Sequence, residues 1–470
     1  MSTAALVGCI FGQLLFGFLG DFLGRQLALT LTILTTVVGA IATTLCNDTS
    51  SDPSSIFIPL AIFRFVLGIG VGGVYPLAAV IAGEGASSSR DDGYVQPESD
   101  GADGEDEGVD KKAHVQMAMV FSTQGLGLLS PPLLALILLK AGCPESAAWR
   151  ILLGVGAVPG ILVFILSFFT GSKLELPKFC RKRQESDIAD FADDATEQTA
   201  REKLKSQIAT IFNPSNLKML IGTAGSWMLF DFCFYGNNLF KGEVMELIFP
   251  ADDPTPPTNM TSFMASVDPD MHEEHLEEIY KDLICAAIAL PGYYVATILM
   301  GRFGLKFIQE QGFFFMAFLF AVLAIFVNEM KTVWGGALVV IVYGLTFFAS
   351  NFGPNTITFL LPAATFPSAA RSTLNGISAA SGKFGATIGS SCFKPLLTAL
   401  EAYSAKNLGD AKHGVQFIFG ICAVVAALGG LLTVFFVKGS VLPNKKDLTA
   451  PLCGAGESEV RDQDELEARA

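Results

Sequence analysis

The chain has 470 residues, of which 51% are hydrophobic and 16% charged, with a mean hydropathy of +0.48. A water-soluble protein of that composition would aggregate, and its apolar residues instead gather into runs of roughly 20, the length at which a helix crosses about 30 Å of hydrocarbon. The formal net charge of -14 sits between those runs, in acidic stretches at 91–110, 243–282 and 457–467, and this excludes a nucleic-acid-binding protein.

Eleven runs are predicted as membrane-spanning helices, at about 3–22, 27–46, 56–82, 114–139, 150–170, 217–240, 283–300, 312–329, 333–361, 374–398 and 415–437. Between the third and fourth lies an acidic insert at about 85–113, rich in Gly and Ser, for which disorder is expected. A polar stretch from Lys173 to Lys205, with acids and bases nearly balanced, separates the fifth run from the sixth. The predicted organisation is thus a helical bundle over 1–170, a cytoplasmic linker over 171–216, a six-helix bundle over 217–440 and an acidic tail over 441–470. All of this describes an all-α membrane protein.

Orientation follows from Lys and Arg, because short positively charged loops stay cytoplasmic. If the turn at Asp21 to Gln26 is inside, then Arg90, Lys111, Lys112, the Lys173–Lys205 linker, Arg302, Lys306, Arg371, Lys438, Lys445 and Lys446 are inside too, with the C-terminus. Two glycosylation sequons, at Asn47 and Asn259, fall in loops that this arrangement places outside, and the NxS at Asn213 is blocked by Pro214. A weak internal repeat supports a two-part molecule: GFLGDFLGRQ (Gly17 to Gln26) follows the first run and ILMGRFGLK (Ile298 to Lys306) the seventh.

Metal and disulfide chemistry find little support. The nine cysteines show neither a CxxC nor a metal-ligand spacing. His272-Glu273-Glu274-His275 has a spacing that could bind a metal if helical, but it reads as an exposed acidic loop. No metal, cofactor or catalytic residue is expected.

Polar residues inside the bilayer are costly, so each is a functional candidate. Trp227, Asp231 and Tyr235 recur at i, i+4 and i+8, along one face of a helix. Lys383 sits among small residues in ISAASGKFGATIGSS, where it must reach an interface, meet an anion or pair with Asp231. Tyr75 follows the glycine-rich GIGVGG, Gln124 lies inside the fourth run, and Asn355 follows Gly353-Pro354 in an expected helix break. Arg64 is a third of the way into its run, where it could tune a proton site, attract anions or bond backbone carbonyls. Gly68, Gly70, Gly72 and Gly73 lie within a spanning run with no strand before them, so they favour close helix packing over nucleotide binding.

Several segments resemble the major facilitator superfamily, and within it the phosphate:proton symporters. These are GQLLFGFLGDFLGRQ (Gly12 to Gln26), RFVLGIGVGGVYPLAAVIAGE (Arg64 to Glu84), GTAGSWMLFDFCFYGNNLF (Gly222 to Phe240), FASNFGPNTITFLLP (Phe348 to Pro362) and ARSTLNGISAASGKFGA (Ala370 to Ala386). The resemblance implies a two-bundle fold with a site between the halves and alternating access by rocking. It also implies that Tyr75, Gln124, Trp227, Asp231, Tyr235, Asn355 and Lys383 bind phosphate, and that Asp21 and Arg25 latch the halves together. Donors from hydroxyl, amide, indole and ammonium groups suit an anion, whereas Asp231 fits beside one only if a proton is shared.

Three departures from the family pattern bear on proton movement. Val74 stands where an aspartate is usual, Ala364 and Ala369 replace a glutamate and an arginine, and the family's first helix has no counterpart before Met1, giving eleven spans of the usual twelve. Asp231, Arg64 and Glu84 are then the candidates for proton coupling. The expected partners are phosphate, protons and the lipid bilayer, and the chain is expected to be a monomer in the plasma membrane. A sugar or organic-anion carrier of the same fold, and a non-transporting nutrient sensor or incomplete transporter, are the alternatives.

Overall fold

The structure is a computed structural model that describes residues 2–46, 56–88, 103–169, 192–248, 270–334, 337–408 and 413–438. Among these residues every regular element is a helix, as the bilayer requires of a chain that must satisfy its backbone groups within each span. In chain order they are α1 (Ser2–Leu23), α2 (Arg25–Thr44), α3 (Phe57–Ser88), α4 (Asp103–Lys140), α5 (Glu145–Val155), α6 (Val158–Phe169) and α7 (Ala192–Ile211). Then come α8 (Pro214–Ile248), α9 (Asp270–Phe303), α10 (Leu305–Trp334), α11 (Ala337–Ser350), a π-helical turn (Asn351–Asn355), α12 (Thr356–Thr365), a 3-10 turn (Ser368–Ala370), α13 (Arg371–Leu408) and α14 (His413–Phe436).

Among the described residues ten helical segments are long and apolar enough to cross a membrane, and ten of the eleven expected spans correspond to them. The eleventh, within α13, falls short in hydropathy because it carries Ser372, Thr373, Asn375, Ser378 and Lys383, all of them buried by neighbouring helices. A helix that meets protein instead of lipid can afford that composition. The fifth span is broken at Gly156 and Ala157 into α5 and α6, and almost all of it faces outward.

Two expectations for the loops change. Helix covers both margins of the acidic insert, since α3 runs on to Ser88 and α4 starts at Asp103. Likewise His272 to His275 are in the first turns of α9 rather than in a loop. Residues 89–102, the sequons at Asn47 and Asn259 and the tail from 439 lie outside the described residues.

The first six helices pack among themselves, α3 lying between α1 and α2. In the second part α8 packs on α13 and α14, and α10 on α11 and α14. The two parts meet along α1 against α13 and α4 against α9. Small residues make these seams possible. A Cβ on Gly385 would come 2.1 Å from the Met228 carbonyl oxygen, and one on Gly389 2.2 Å from that of Phe232, so α8 and α13 touch backbone to backbone. At the seam between the parts, a Cβ on Gly376 would meet the Gln13 carbonyl oxygen at 2.4 Å.

The internal repeat has a structural counterpart. Gly24 joins α1 to α2 and Gly304 joins α9 to α10, each a single non-helical residue with positive φ, 104° and 79°. Nothing crowds either position, so it is the left-handed backbone that selects glycine there.

Candidate functional site

Helices α3, α4, α8, α9, α13 and the break between α11 and α12 bring their polar side chains to one buried region. Asp231 is 2% exposed and Lys383 4%. Lys383 Nζ donates to Asp231 Oδ2 at 2.8 Å and to Tyr235 Oη at 3.0 Å, so the i, i+4 spacing on α8 supplies two partners to one cation. The ammonium also lies 4.5 Å from the ring centroid of Tyr235 and 5.3 Å from that of Tyr75. Trp227, one turn before Asp231, is within interaction range of its carboxyl group and packs against Gly382. An unpaired charge would be untenable here; the pair and its aromatic surround make the burial tolerable.

From Tyr75 a second string leads across the seam. Gln124 Nε2 donates to Tyr75 Oη at 3.1 Å, and Tyr293 Oη donates to Gln124 Oε1 at 3.3 Å. Asn355 Nδ2 donates to Tyr293 Oη at 2.9 Å and to Asn351 Oδ1 at 2.8 Å, while Asn351 Nδ2 donates to the Ala289 carbonyl at 3.0 Å. Phe121 stacks on Phe359 at 4.5 Å, and these rings touch Tyr293 and Tyr75 to give the string an apolar wall.

The π-helical turn explains how Asn351 and Asn355 come to face the site. Pro354 has no N–H to give to the preceding turn, and the Asn351 carbonyl accepts from Thr356 Oγ1 at 2.6 Å. Gly353 lets the turn lie against Gly312, where a Cβ would come within 2.4 Å of the facing Cα.

All seven residues expected to bind the anion are therefore brought together. Two proton-coupling candidates, Arg64 and Glu84, lie elsewhere. Arg64 lies eleven residues before Tyr75 on α3, about 16 Å along the axis, and its Nε finds no hydrogen-bond partner among the described residues. Glu84 lies about 13 Å beyond Tyr75 in the other direction, away from Asp231, at the end of the molecule that holds Asp21 and Arg25. Arg25 pairs with Glu84 at 2.6 Å and Arg371 pairs with it at 3.1 Å.

Asp21 joins the same cluster. Its carboxylate accepts from the backbone N–H groups of Ser372 and Thr373 at 3.1 and 2.8 Å, and from Thr373 Oγ1 at 2.8 Å. These N–H groups open α13, so the carboxylate caps the positive end of a helix in the other part of the molecule. Arg25 also donates to the Ser368 carbonyl at 3.2 Å, and Gln207 of α7 donates to Thr373 Oγ1 at 2.6 Å.

Tyr293, Asn351, Arg371 and Gln207 are additions that the sequence reasoning missed. Asn351 stands four residues before Asn355, and Tyr293 follows Pro291-Gly292 inside a span, so spacing and buried polarity could have pointed to both. Gln207 gave no signal, because it comes from a polar helix that no membrane pattern marks.

Two helical parts meeting at a buried charged site, with a latch at one end, define a secondary transporter of the major facilitator fold. Residues 1–90 and 271–444 match the model of the sugar (and other) transporter family. The chain is 30% identical over 481 residues to the probable inorganic phosphate transporter 1-8 of Oryza sativa subsp. japonica, covering 95% of this chain and 80% of that protein. It is also 30% identical to the inorganic phosphate transporter 1-4 of Arabidopsis thaliana, covering 92% and 80%. Among solved structures, the xylose transporter XylE from E. coli aligns over 94% of this chain and 88% of its own, with a TM-score of 0.54 and 16% identity. The human organic anion transporter MFSD10 aligns over 92% and 82%, with a TM-score of 0.52 and 16% identity. The chain belongs to the sugar (and other) transporter family of the major facilitator superfamily, on the branch of these plant phosphate transporters.

Proposed function

We propose that the chain carries inorganic phosphate across a membrane together with protons. The observation that carries this reading is the buried Lys383, held by Asp231 and Tyr235 and surrounded by the donors of Trp227, Tyr75, Gln124, Tyr293 and Asn355. An ammonium with hydroxyl, indole and amide donors around it suits a small tetrahedral oxyanion. The plant relatives, named as phosphate transporters, supply the substrate.

Charge balance gives the coupling. Without substrate, Lys383 and Asp231 neutralise each other at 2.8 Å. Dihydrogen phosphate brings a negative charge into that low-dielectric site, and the cost is avoided only if a cation enters with it. A proton on Asp231 releases Lys383 to the anion and keeps the site neutral. Substrate and proton then cross together as the two parts rock about the site. The end that holds the Asp21 latch faces the cytoplasm in this reading, as the distribution of Lys and Arg indicates, and the protein works in the plasma membrane.

The test is labelled phosphate uptake into proteoliposomes, with and without an inwardly directed proton gradient. Uptake is expected, and the gradient should increase it several-fold. No uptake overturns phosphate transport, and uptake indifferent to the gradient overturns symport. Asp231→Asn should retain phosphate binding while losing the response to pH, because Lys383 then meets the anion without a proton.

A further inference from the structure

Between the ion pair and the latch, the seam of α1 and α13 contains polar atoms that its apolar packing does not explain. Gln13 is 0% exposed, and neither Oε1 nor Nε2 has a hydrogen-bond partner among the described residues. On α13, Asn375 is 1% exposed with an unpartnered Oδ1, and its amide nitrogen makes only a 3.5 Å contact with the Pro76 carbonyl. Ser372 is 0% exposed, and its Oγ is unpartnered too.

Their heights in the membrane are set by the helices. Lys383 follows by seven residues on α13 the Gly376 that packs against the carbonyl of Gln13. One turn after Gln13 on α1 is Gly17, where a Cβ would come 2.8 Å from the Ser372 carbonyl oxygen, and one further turn brings Asp21 of the latch. Gln13 thus stands about 10 Å below the level of Lys383 and about 12 Å above the latch. Asn375 and Ser372 precede Lys383 on α13 by two to three turns, descending toward the same end.

Leaving a buried amide or hydroxyl unsatisfied costs about 1–3 kcal/mol per group. A seam that needed only to close would be better filled by leucine and alanine. The cost is recovered if the seam opens, because these atoms then find partners. We infer that Gln13 and Asn375 form an inner subsite for phosphate, assembled when α1 parts from α13, that receives the anion from Lys383 on its way past Ser372 to the cytoplasm. The chemistry suits dihydrogen phosphate in particular: Gln13 Nε2 can donate to P–O oxygens, and the amide oxygens of Gln13 and Asn375 can accept from P–OH groups. The subsite rests on the functional reading above, and it adds a place where the substrate pauses after leaving the charged site.

Gln13→Leu tests it, because a near-isosteric apolar side chain keeps the packing and removes the amide. In purified protein, phosphate binding measured by calorimetry should stay within about twofold of wild type, since Lys383 and its donors are untouched. Reconstituted turnover should fall about tenfold or more, while the unfolding midpoint stays equal or rises. Gln13→Asn, which keeps an amide, should recover much of the turnover. Wild-type turnover in Gln13→Leu would overturn the subsite, as would a turnover loss matched by an equal loss of binding or by a fall in the unfolding midpoint. Wild-type protein that binds no phosphate would instead overturn the functional reading itself, and that outcome is read separately in the same preparation.

Discussion

The pairing of Asp231 with Lys383 decides what either residue is worth. Replacing Lys383 by Gln leaves a buried carboxylate without its cation, and breaking a buried pair in this way costs roughly 3–5 kcal/mol. The double variant Lys383→Gln, Asp231→Asn leaves no unpaired charge. It should therefore be more stable than Lys383→Gln alone, a non-additivity visible as a higher unfolding midpoint, while phosphate binding is lost in both. A double variant no more stable than the single one would show that the two side chains do not neutralise each other. At this scale much was legible in the sequence: the three-residue face of α8 and the lysine among small residues are anomalies that lipid does not tolerate. Tyr293 was not, because a tyrosine within a span also reads as an ordinary interfacial or packing residue, and only its bonds to Gln124 and Asn355 distinguish it.

At the scale of elements, the glycines of α13 hold the site together. Asp231 and Lys383 come from α8 and α13, whose backbones approach closely at Gly385 and Gly389. Gly385→Ala would force a methyl group toward the Met228 carbonyl oxygen 2.1 Å away, and relief requires the helices to separate. The expected result is a marked drop in the unfolding midpoint with weakened phosphate binding. Gly301→Ala, at a position with nothing within 4 Å, should change neither. Span positions were readable from apolar runs, and the break at Gly353-Pro354 from its two residues. The helical margins of the acidic insert were not, since composition reports only the lack of a core. The shortfall of α13 in hydropathy has the opposite cause: its sequence reads as marginal for lipid because its neighbours are protein.

For the whole molecule, one cluster of ion pairs and hydrogen bonds ties the two parts together at a single end. Glu84 holds Arg25 and Arg371, one from each part, and Asp21 caps a helix across the same seam. Glu84→Gln should weaken this end and shift the carrier toward opening there. A cysteine introduced at Ser372 should then be labelled faster by a polar maleimide applied from the side on which Asp21 lies than in the same background with Glu84 intact. Equal labelling would remove Glu84 from the latch. The family resemblance pointed to Asp21 and Arg25 at this end, whereas the ion pairs that tie Glu84 to Arg25 and Arg371 became visible only once the facing helix was known.

The 2.8 Å bond between Asp231 and Lys383 has an electrical consequence. Moving one elementary charge through a membrane potential takes about 2.3 kcal/mol per 100 mV. Because the cation and anion lie together within the same part of the protein, the unloaded carrier presents no net charge at its centre when it resets. Its return step does no work against the voltage, and a resting cell cannot trap it on either face.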